Sequence, residues 1–115
     1  MYDYRANVLS VVDGDTMHLE VLLGLDVRVR TTVRIAGIDA PEMGDKPAGP
    51  DAREYAIAWI ASRLAEDGTI EVRTTKDRRE KYGRYLADLY GPDGESLAGE
   101  MLASGHARPY AGGAR

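Results

Sequence analysis

The chain has 115 residues, 43% of them hydrophobic, with no cysteine and a formal net charge of −4 at pH 7. This length predicts one domain over residues 1–115, and the lack of cysteine excludes disulfides, zinc–thiolate sites and thiol nucleophiles. The sequence has no apolar run near the ~20 residues of a membrane span and no secretory signal pattern. We therefore expect a cytoplasmic, viral or otherwise intracellular protein that makes no membrane contact, although a mature secreted form would look the same.

Three strands joined by tight turns are predicted in the first third of the chain. Residues 5–12 end in an apolar run, and apolar and polar residues alternate over residues 16–21 with the period of a half-buried strand. Asp13-Gly14 between them is a strong turn signal. A third, β-branched strand is predicted over Val27–Ile35 and is expected to reach Ile38. These strands form a meander.

The rest of the chain predicts a helix, two strands and a second helix. The predicted segments are a loop over Met43–Gly49, a helix opened by Gly49-Pro50-Asp51, a strand over 69–74, a charged loop over 76–81, a strand over 84–90 and a helix capped by Ser96 and closed by Gly105. Five short strands with an interposed helix are typical of a small closed Greek-key barrel of the OB type. The expected fold class is therefore α+β and mainly β, with two α-helices packed on the barrel.

Two acidic motifs are candidates for chemistry. Asp15 lies in the turn between the first two strands, and Asp39 and Glu42 follow the third strand. Each motif alone is explained by turn chemistry or by a strand terminator. In a meander, however, the start of strand two lies beside the end of strand three, so Asp15 and Asp39 should approach each other with Glu42 close by. Such hard oxygen ligands suit Ca²⁺ or Mg²⁺.

Two arginines complete the candidate site. Arg34 precedes Asp39 by five residues, and the Val33-Arg34-Ile35 pattern places it on the face opposite its apolar neighbours. Arg84 begins the predicted fifth strand. Because a guanidinium binds phosphate oxygens bidentately, two arginines beside a divalent cation form a plausible cradle for a phosphodiester. The sequence thus points to phosphate chemistry despite its acidic charge.

These residues lie in four motifs whose order resembles that of the staphylococcal nuclease (thermonuclease) family. The motifs are VVDGDT (11–16), VRIAGIDAPE (33–42), GPDA (49–52) and EKYGRYLA (80–87), and the likeness runs from about Arg5 to Tyr110. The resemblance implies an OB-fold nuclease that uses Ca²⁺ to hydrolyse DNA and RNA, giving 3′-phosphate and 5′-hydroxyl products. It also implies that Asp15, Asp39 and the backbone carbonyl of Ala40 bind Ca²⁺, and that Glu42 is the general base or orients water.

The same resemblance assigns the phosphate and nucleotide contacts. Arg34 and Arg84 match the two arginines that grip the scissile phosphate. Lys81 and Tyr82 match positions that contact a terminal phosphate and a base, and Tyr110 lies in a region that supplies tyrosines to the substrate. All five residues are thus expected to be part of the substrate site.

The sequence differs from the family's archetype in two respects, and one alternative function remains open. The loop over Met43–Gly49 is shorter, and the archetype's third helix is expected to be absent, so a partner subunit could cover the apolar surface; a monomer and a homodimer both remain open. Degenerate relatives serve as non-catalytic OB modules that bind nucleic acid or protein. Because the carboxylates and arginines are all present here, the enzyme is favoured over the binding module.

Overall fold

The computed structural model describes residues 2–79 and 84–110. Within them the strands and helices, in chain order, are β1 (Tyr2–Asp13), β2 (Thr16–Gly24), β3 (Val27–Ile35), β4 (Ile38–Asp39), α1 (Ala48–Ala61), β5 (Ile70–Arg79), β6 (Tyr85–Tyr90), α2 (Leu97–Ala103) and β7 (Arg108–Pro109). No helix in this part of the chain combines the length and apolar character that crossing a bilayer requires.

Five of the strands close into a barrel in the order β1-β2-β3-β6-β5. The β1–β2–β3 meander is antiparallel, and β6 pairs parallel to β3 over only three residues. The predicted five-stranded barrel of OB type with two packed helices is therefore confirmed. Strand β4 lies outside the barrel and pairs with β7.

The core fills the barrel and the space under the helices. Its fully buried members include Met17, Leu19, Ile35, Val72 and Leu89 from the barrel, with Leu97 and Met101 from α2. Helix α1 covers one side of β1 and contributes Ala52, Ala56, Trp59 and Ile60. The outer face of β2 and β3 is left uncovered by the helices, and it carries the polar residues of those strands.

Several predicted boundaries were wrong. The third strand ends at Ile35 rather than Ile38, because Gly37 has φ +82 and turns the chain into β4. The predicted charged loop over 76–81 is strand as far as Arg79, since ladder pairing with β6 resumes at Arg79 and Tyr85. Helix α1 begins at Ala48, one residue before the predicted start, so Pro50 sits in the first turn, where its missing N–H costs little.

Helix α2 confirms its predicted cap. The Ser96 hydroxyl accepts a hydrogen bond from the backbone N–H of Gly99, and Gly105 ends the segment with φ +80. Strand β7 was not predicted. It forms because Ile38 pairs with Pro109 and Asp39 with Arg108, a contact between segments 70 residues apart that local pattern does not reveal.

Candidate active site

The turn between β1 and β2 places Asp15 at the base of the site. The Asp13 carboxylate accepts the N–H of Asp15 at 3.2 Å, and the Asp15 carbonyl accepts the N–H of Ile35 at 2.8 Å. Gly14 is buried against the segment after β4, where a Cβ would lie 2.9 Å from the Cβ of Ala40. The turn therefore needs glycine to pack this closely, and the packing brings Asp15 next to Asp39.

Arg34 lies between the two aspartates. Its Nη2 is 3.6 Å from Oδ2 of Asp15 and 3.6 Å from Oδ1 of Asp39. The Arg34 side chain is only 3% exposed and that of Asp15 5%, whereas that of Asp39 is 34% exposed. Nη2 makes no hydrogen bond within the described residues. A buried guanidinium nitrogen with two ion pairs but no hydrogen bond retains the capacity to bind an anion.

Thr16 connects this centre to Arg84. The Thr16 hydroxyl donates to Oδ1 of Asp15 at 3.0 Å and accepts from Nη1 of Arg84 at 3.5 Å. Thr16 is directly opposite Arg34 in the β2–β3 ladder, so its side chain is on the same face of the sheet. The two arginines predicted to grip phosphate therefore both lie beside Thr16.

Tyr110 packs on Arg34. The guanidinium carbon of Arg34 is 4.8 Å from the centre of the Tyr110 ring, within the range of a cation–π contact. The N–H of Tyr110 donates to the carbonyl of Gly37 at 3.0 Å, which extends the pairing of β4 with β7 and fixes the approach of the ring. The predicted Lys81 and Tyr82 lie outside the described residues.

Glu42 lies in the exposed loop that leads to α1. Its carbonyl accepts the N–H of Asp45 at 2.9 Å, and a Cβ on Gly49 would come within 1.8 Å of that same oxygen. The predicted convergence of three carboxylates is not what the structure shows: within residues 2–79 and 84–110 no group of three His, Cys, Asp or Glu side chains is placed to hold a metal ion. Arg34 supplies the positive charge between Asp15 and Asp39 instead, and Glu42 remains at the surface.

The oxygen atoms at and near Asp15 nevertheless suit a divalent cation. Each Asp15 oxygen accepts one hydrogen bond, Oδ1 from Thr16 and Oδ2 from the N–H of Ala40 at 2.8 Å. A carboxylate offers about four lone-pair sites, so capacity remains on both oxygens. Together with the half-buried Asp39 and the carbonyl of Ala40, these are the hard oxygen ligands that Ca²⁺ and Mg²⁺ prefer.

Asp13 lies close to the negative charge of Asp15 in this turn. Burial, together with the hydrogen bond and the charge of Asp15, raises the pKa of Asp13 to about 6. The loop connecting β4 to α1 also forms one wall of an open cleft of about 480 Å³, which has Asp39 at its edge and His106 and Arg108 on the other wall. The centre is therefore accessible from solvent on the Asp39 side.

Thr16 had no predicted role of its own. The motif contained the residue, but its contact with Arg84 joins positions 68 apart in the chain. The only available signal was the alternation along the second strand, which places Thr16 on the polar face.

Comparison with known proteins shows the family to which the chain belongs. Residues 32–114 match the family model described as "Staphylococcal nuclease homologue". The chain belongs to the staphylococcal nuclease family. The match begins within β3 and extends past β7, and it therefore includes Arg34, Asp39, Glu42 and Arg84.

Individual relatives carry nuclease names. An "Uncharacterized endonuclease" of Escherichia coli is 31% identical over 108 residues, covering 94% of this chain and 62% of the relative. A "Micrococcal nuclease" of Shigella flexneri is 39% identical over 90 residues, covering 78% and 44%. "Endonuclease YhcR" of Bacillus subtilis is 29% identical over 116 residues, covering 94% of this chain but 9% of the relative. The family member described here thus spans about three-fifths of the length of the first relatives it matches.

Proposed function

We propose that this chain is a Ca²⁺-dependent nuclease that hydrolyses phosphodiester bonds in DNA, RNA or both, leaving a 3′-phosphate and a 5′-hydroxyl. The observation that carries the proposal is Arg34, a buried guanidinium flanked by two carboxylates and holding one nitrogen without a hydrogen bond. Burying a charged donor in this state is costly unless an anion completes its hydrogen bonding. A phosphate oxygen is such an anion.

Arg34 and Arg84 would hold the phosphate from two sides. Arg34 is fixed by Asp15 and Asp39, and Arg84 is tethered to the hydroxyl of Thr16. During hydrolysis, negative charge accumulates on the oxygens of the five-coordinate phosphorus, and guanidinium donors fixed in advance stabilise that charge without reorganising. Because Tyr110 lies on Arg34, we expect its ring to move when phosphate binds and then to contact the nucleotide.

Glu42 is the proposed base. Its carboxylate orients a water molecule and accepts its proton as the water oxygen attacks phosphorus in line with the departing 5′ oxygen. The P–O5′ bond then breaks, and the 5′ oxygen takes up a proton from a solvent water molecule to become a hydroxyl. An exposed carboxylate on a loop can approach substrate at this stage, consistent with the position of Glu42 at the surface.

Asp15, Asp39 and the carbonyl of Ala40 would hold the cation. When bound, Ca²⁺ supplies Lewis-acid stabilisation of the phosphate charge. The protein's own contribution is to orient the Asp15 carboxylate, through the hydroxyl of Thr16 and the N–H of Ala40.

The test is cleavage of a 5′-labelled single-stranded DNA and the matching RNA in Ca²⁺, in Mg²⁺ and in excess chelator. Wild type should cleave in Ca²⁺ and stop in chelator, with 3′-phosphate ends that a phosphatase converts to hydroxyl. Glu42→Gln, which keeps the size and polarity of the side chain, should lose at least tenfold in rate, because proton transfer contributes roughly 10²–10⁴-fold.

The matched control is Glu66→Gln, which changes the same residue type elsewhere on the surface. Equal rates for the Glu42 and Glu66 variants would remove Glu42 from the mechanism. A folded wild type that binds DNA but cleaves in none of these conditions would contradict the nuclease and favour the non-catalytic OB module.

A further inference from the structure

The outer face of the β2–β3 hairpin carries a row of arginines that leads to the candidate active site. In the antiparallel ladder, Thr16 is opposite Arg34 and Glu20 is opposite Arg30, while Arg28 is the next residue of the same face. Arg28, Arg30 and Arg34 therefore point to one side of the sheet, because side chains alternate along a strand. We call these three residues the β3 arginine row.

The outer two members of the row are available to a ligand. The side chain of Arg28 is 60% exposed and that of Arg30 78%. Both face one carboxylate, Glu20, at 3.3 Å and 3.7 Å respectively. Two guanidiniums share one counter-charge, so this surface carries a local excess of positive charge in a chain whose net charge is −4.

A surface groove of about 390 Å³ runs beside the row. Arg30, Thr32 and His18 line it on the hairpin, and Leu9 and Ser10 line it on β1. His18 and Thr32 share a hydrogen bond of 2.7 Å and occupy the step between Arg30 and Arg34. The lining of the groove is mostly apolar, and Arg30 with the His18–Thr32 pair forms its polar edge along the hairpin, between Arg28 and Arg34.

We propose that the β3 arginine row binds the sugar–phosphate backbone of single-stranded nucleic acid on one side of the scissile phosphate. Residues two apart on a strand are about 6.6 Å from each other, so arginines along the row can meet successive phosphates of an extended strand. Charged grooves that track a backbone in this way bind single strands without reading their sequence. The inference rests on the proposed function, because Arg34 at the inner end holds the phosphate to be cleaved.

A purely structural role explains the row less well. Exposed ion pairs contribute little to stability, and one carboxylate serves both arginines here. The row also differs from Arg73 on β5, which pairs with Glu71 at 2.7 Å and with Asp3 at 3.8 Å and lies over the Tyr90 ring. Two carboxylates balance the charge of Arg73. Arg28 and Arg30 share one carboxylate, so the pair keeps a net positive charge that can attract a polyanion.

The experiment measures binding of a fluorescein-labelled 20-nucleotide oligothymidylate by anisotropy in excess chelator, so that no cleavage is needed. The variants are wild type, Arg28→Gln with Arg30→Gln, Glu20→Gln, and Arg73→Gln as the matched arginine on another strand of the barrel. Each phosphate contact on a single strand contributes about 0.7 to the salt slope. Losing two contacts should therefore lower the slope by about 1.4, so that wild type loses about sevenfold more affinity than the double variant between 50 and 200 mM salt.

We also expect Glu20→Gln to bind more tightly and Arg73→Gln to bind as wild type does. Cleavage of a dinucleotide, which is too short to reach Arg28 and Arg30, should be unchanged in the double variant while cleavage of the 20-nucleotide substrate has a raised KM. A double variant with wild-type affinity and salt slope, or one that loses no more than Arg73→Gln, would overturn the proposal. Wild type that binds the oligonucleotide but cleaves neither substrate in Ca²⁺ would refute the nuclease instead and leave the binding result to decide the row.

Discussion

Replacing Thr16 by valine tests the connection between the two halves of the site. Valine keeps the shape of threonine but removes the hydroxyl that donates to Asp15 at 3.0 Å and accepts from Arg84 at 3.5 Å. Thr16 is 6% exposed and Asp15 4% exposed, so water does not readily replace the lost donor. Hydrogen bonds to charged groups contribute roughly 1.5–3 kcal/mol, and we therefore expect the free energy of unfolding to fall by about 2 kcal/mol.

The contact with Arg84 is long, so its loss should affect catalysis more than stability. Without the tether we expect kcat/KM on a short oligonucleotide to fall about tenfold, because Arg84 samples positions away from the phosphate. Urea unfolding and initial rates in Ca²⁺ measure the two effects, and Thr16→Ser, which retains the hydroxyl, should restore most of both. Unfolding and rates that match wild type in Thr16→Val would refute the role of this hydroxyl.

Three further predictions concern the turn, the loop and the cation. The raised pKa of Asp13, about 6 against 3.8, means that the folded state holds this proton more tightly, so the contribution of Asp13 to stability is greatest below pH 4 and is lost as pH rises through 6. Asp13→Asn should remove about 1–2 kcal/mol of this fall in urea titrations in chelator, because solvent reaches the partly exposed carboxyl and screens it, and identical pH profiles would contradict it. Gly49→Ala should destabilise the protein by about 1–3 kcal/mol and reduce cleavage, because the new Cβ would collide with the carbonyl of Glu42; unchanged melting temperature and rate would show that the loop yields freely. Asp39→Asn should raise the Ca²⁺ concentration needed for half-maximal activity, and an unchanged requirement would remove Asp39 from the ligands.

Most of the framework could be predicted because it depends on local pattern. The Asp13-Gly14 turn, the alternation along β2 and the Ser96 cap each act over a few residues, and the structure confirms all three. The position of Arg34 on the polar face also followed from alternation. Alternation does not predict that Arg34 is buried. Its burial results from the packing of Asp15, Asp39 and Tyr110 around it.

The parts that were wrong or missed depend on distant contacts. Strand β5 continues into a charged segment because β6 supplies a partner, although the residues themselves favour a loop. Strand β7 exists because it meets β4, and Thr16 acquires its role from Arg84. The expected third carboxylate stays apart from Asp15 and Asp39 because the loop after Pro41 carries Glu42 to the surface, while Arg34 offsets part of the charge of the two aspartates.

The central claim is that Arg34 grips the scissile phosphate, and Arg34→Lys tests it most directly. Lysine keeps a positive charge between Asp15 and Asp39, so the fold should survive, but it cannot offer the guanidinium fork. The measurement is kcat/KM on a short single-stranded oligonucleotide in saturating Ca²⁺, with the melting temperature of both proteins as the check on folding. The account predicts a loss of about 10²–10³-fold with the fold intact, comparable with removal of an oxyanion donor. A variant that retains kcat/KM within a few-fold of wild type would contradict it.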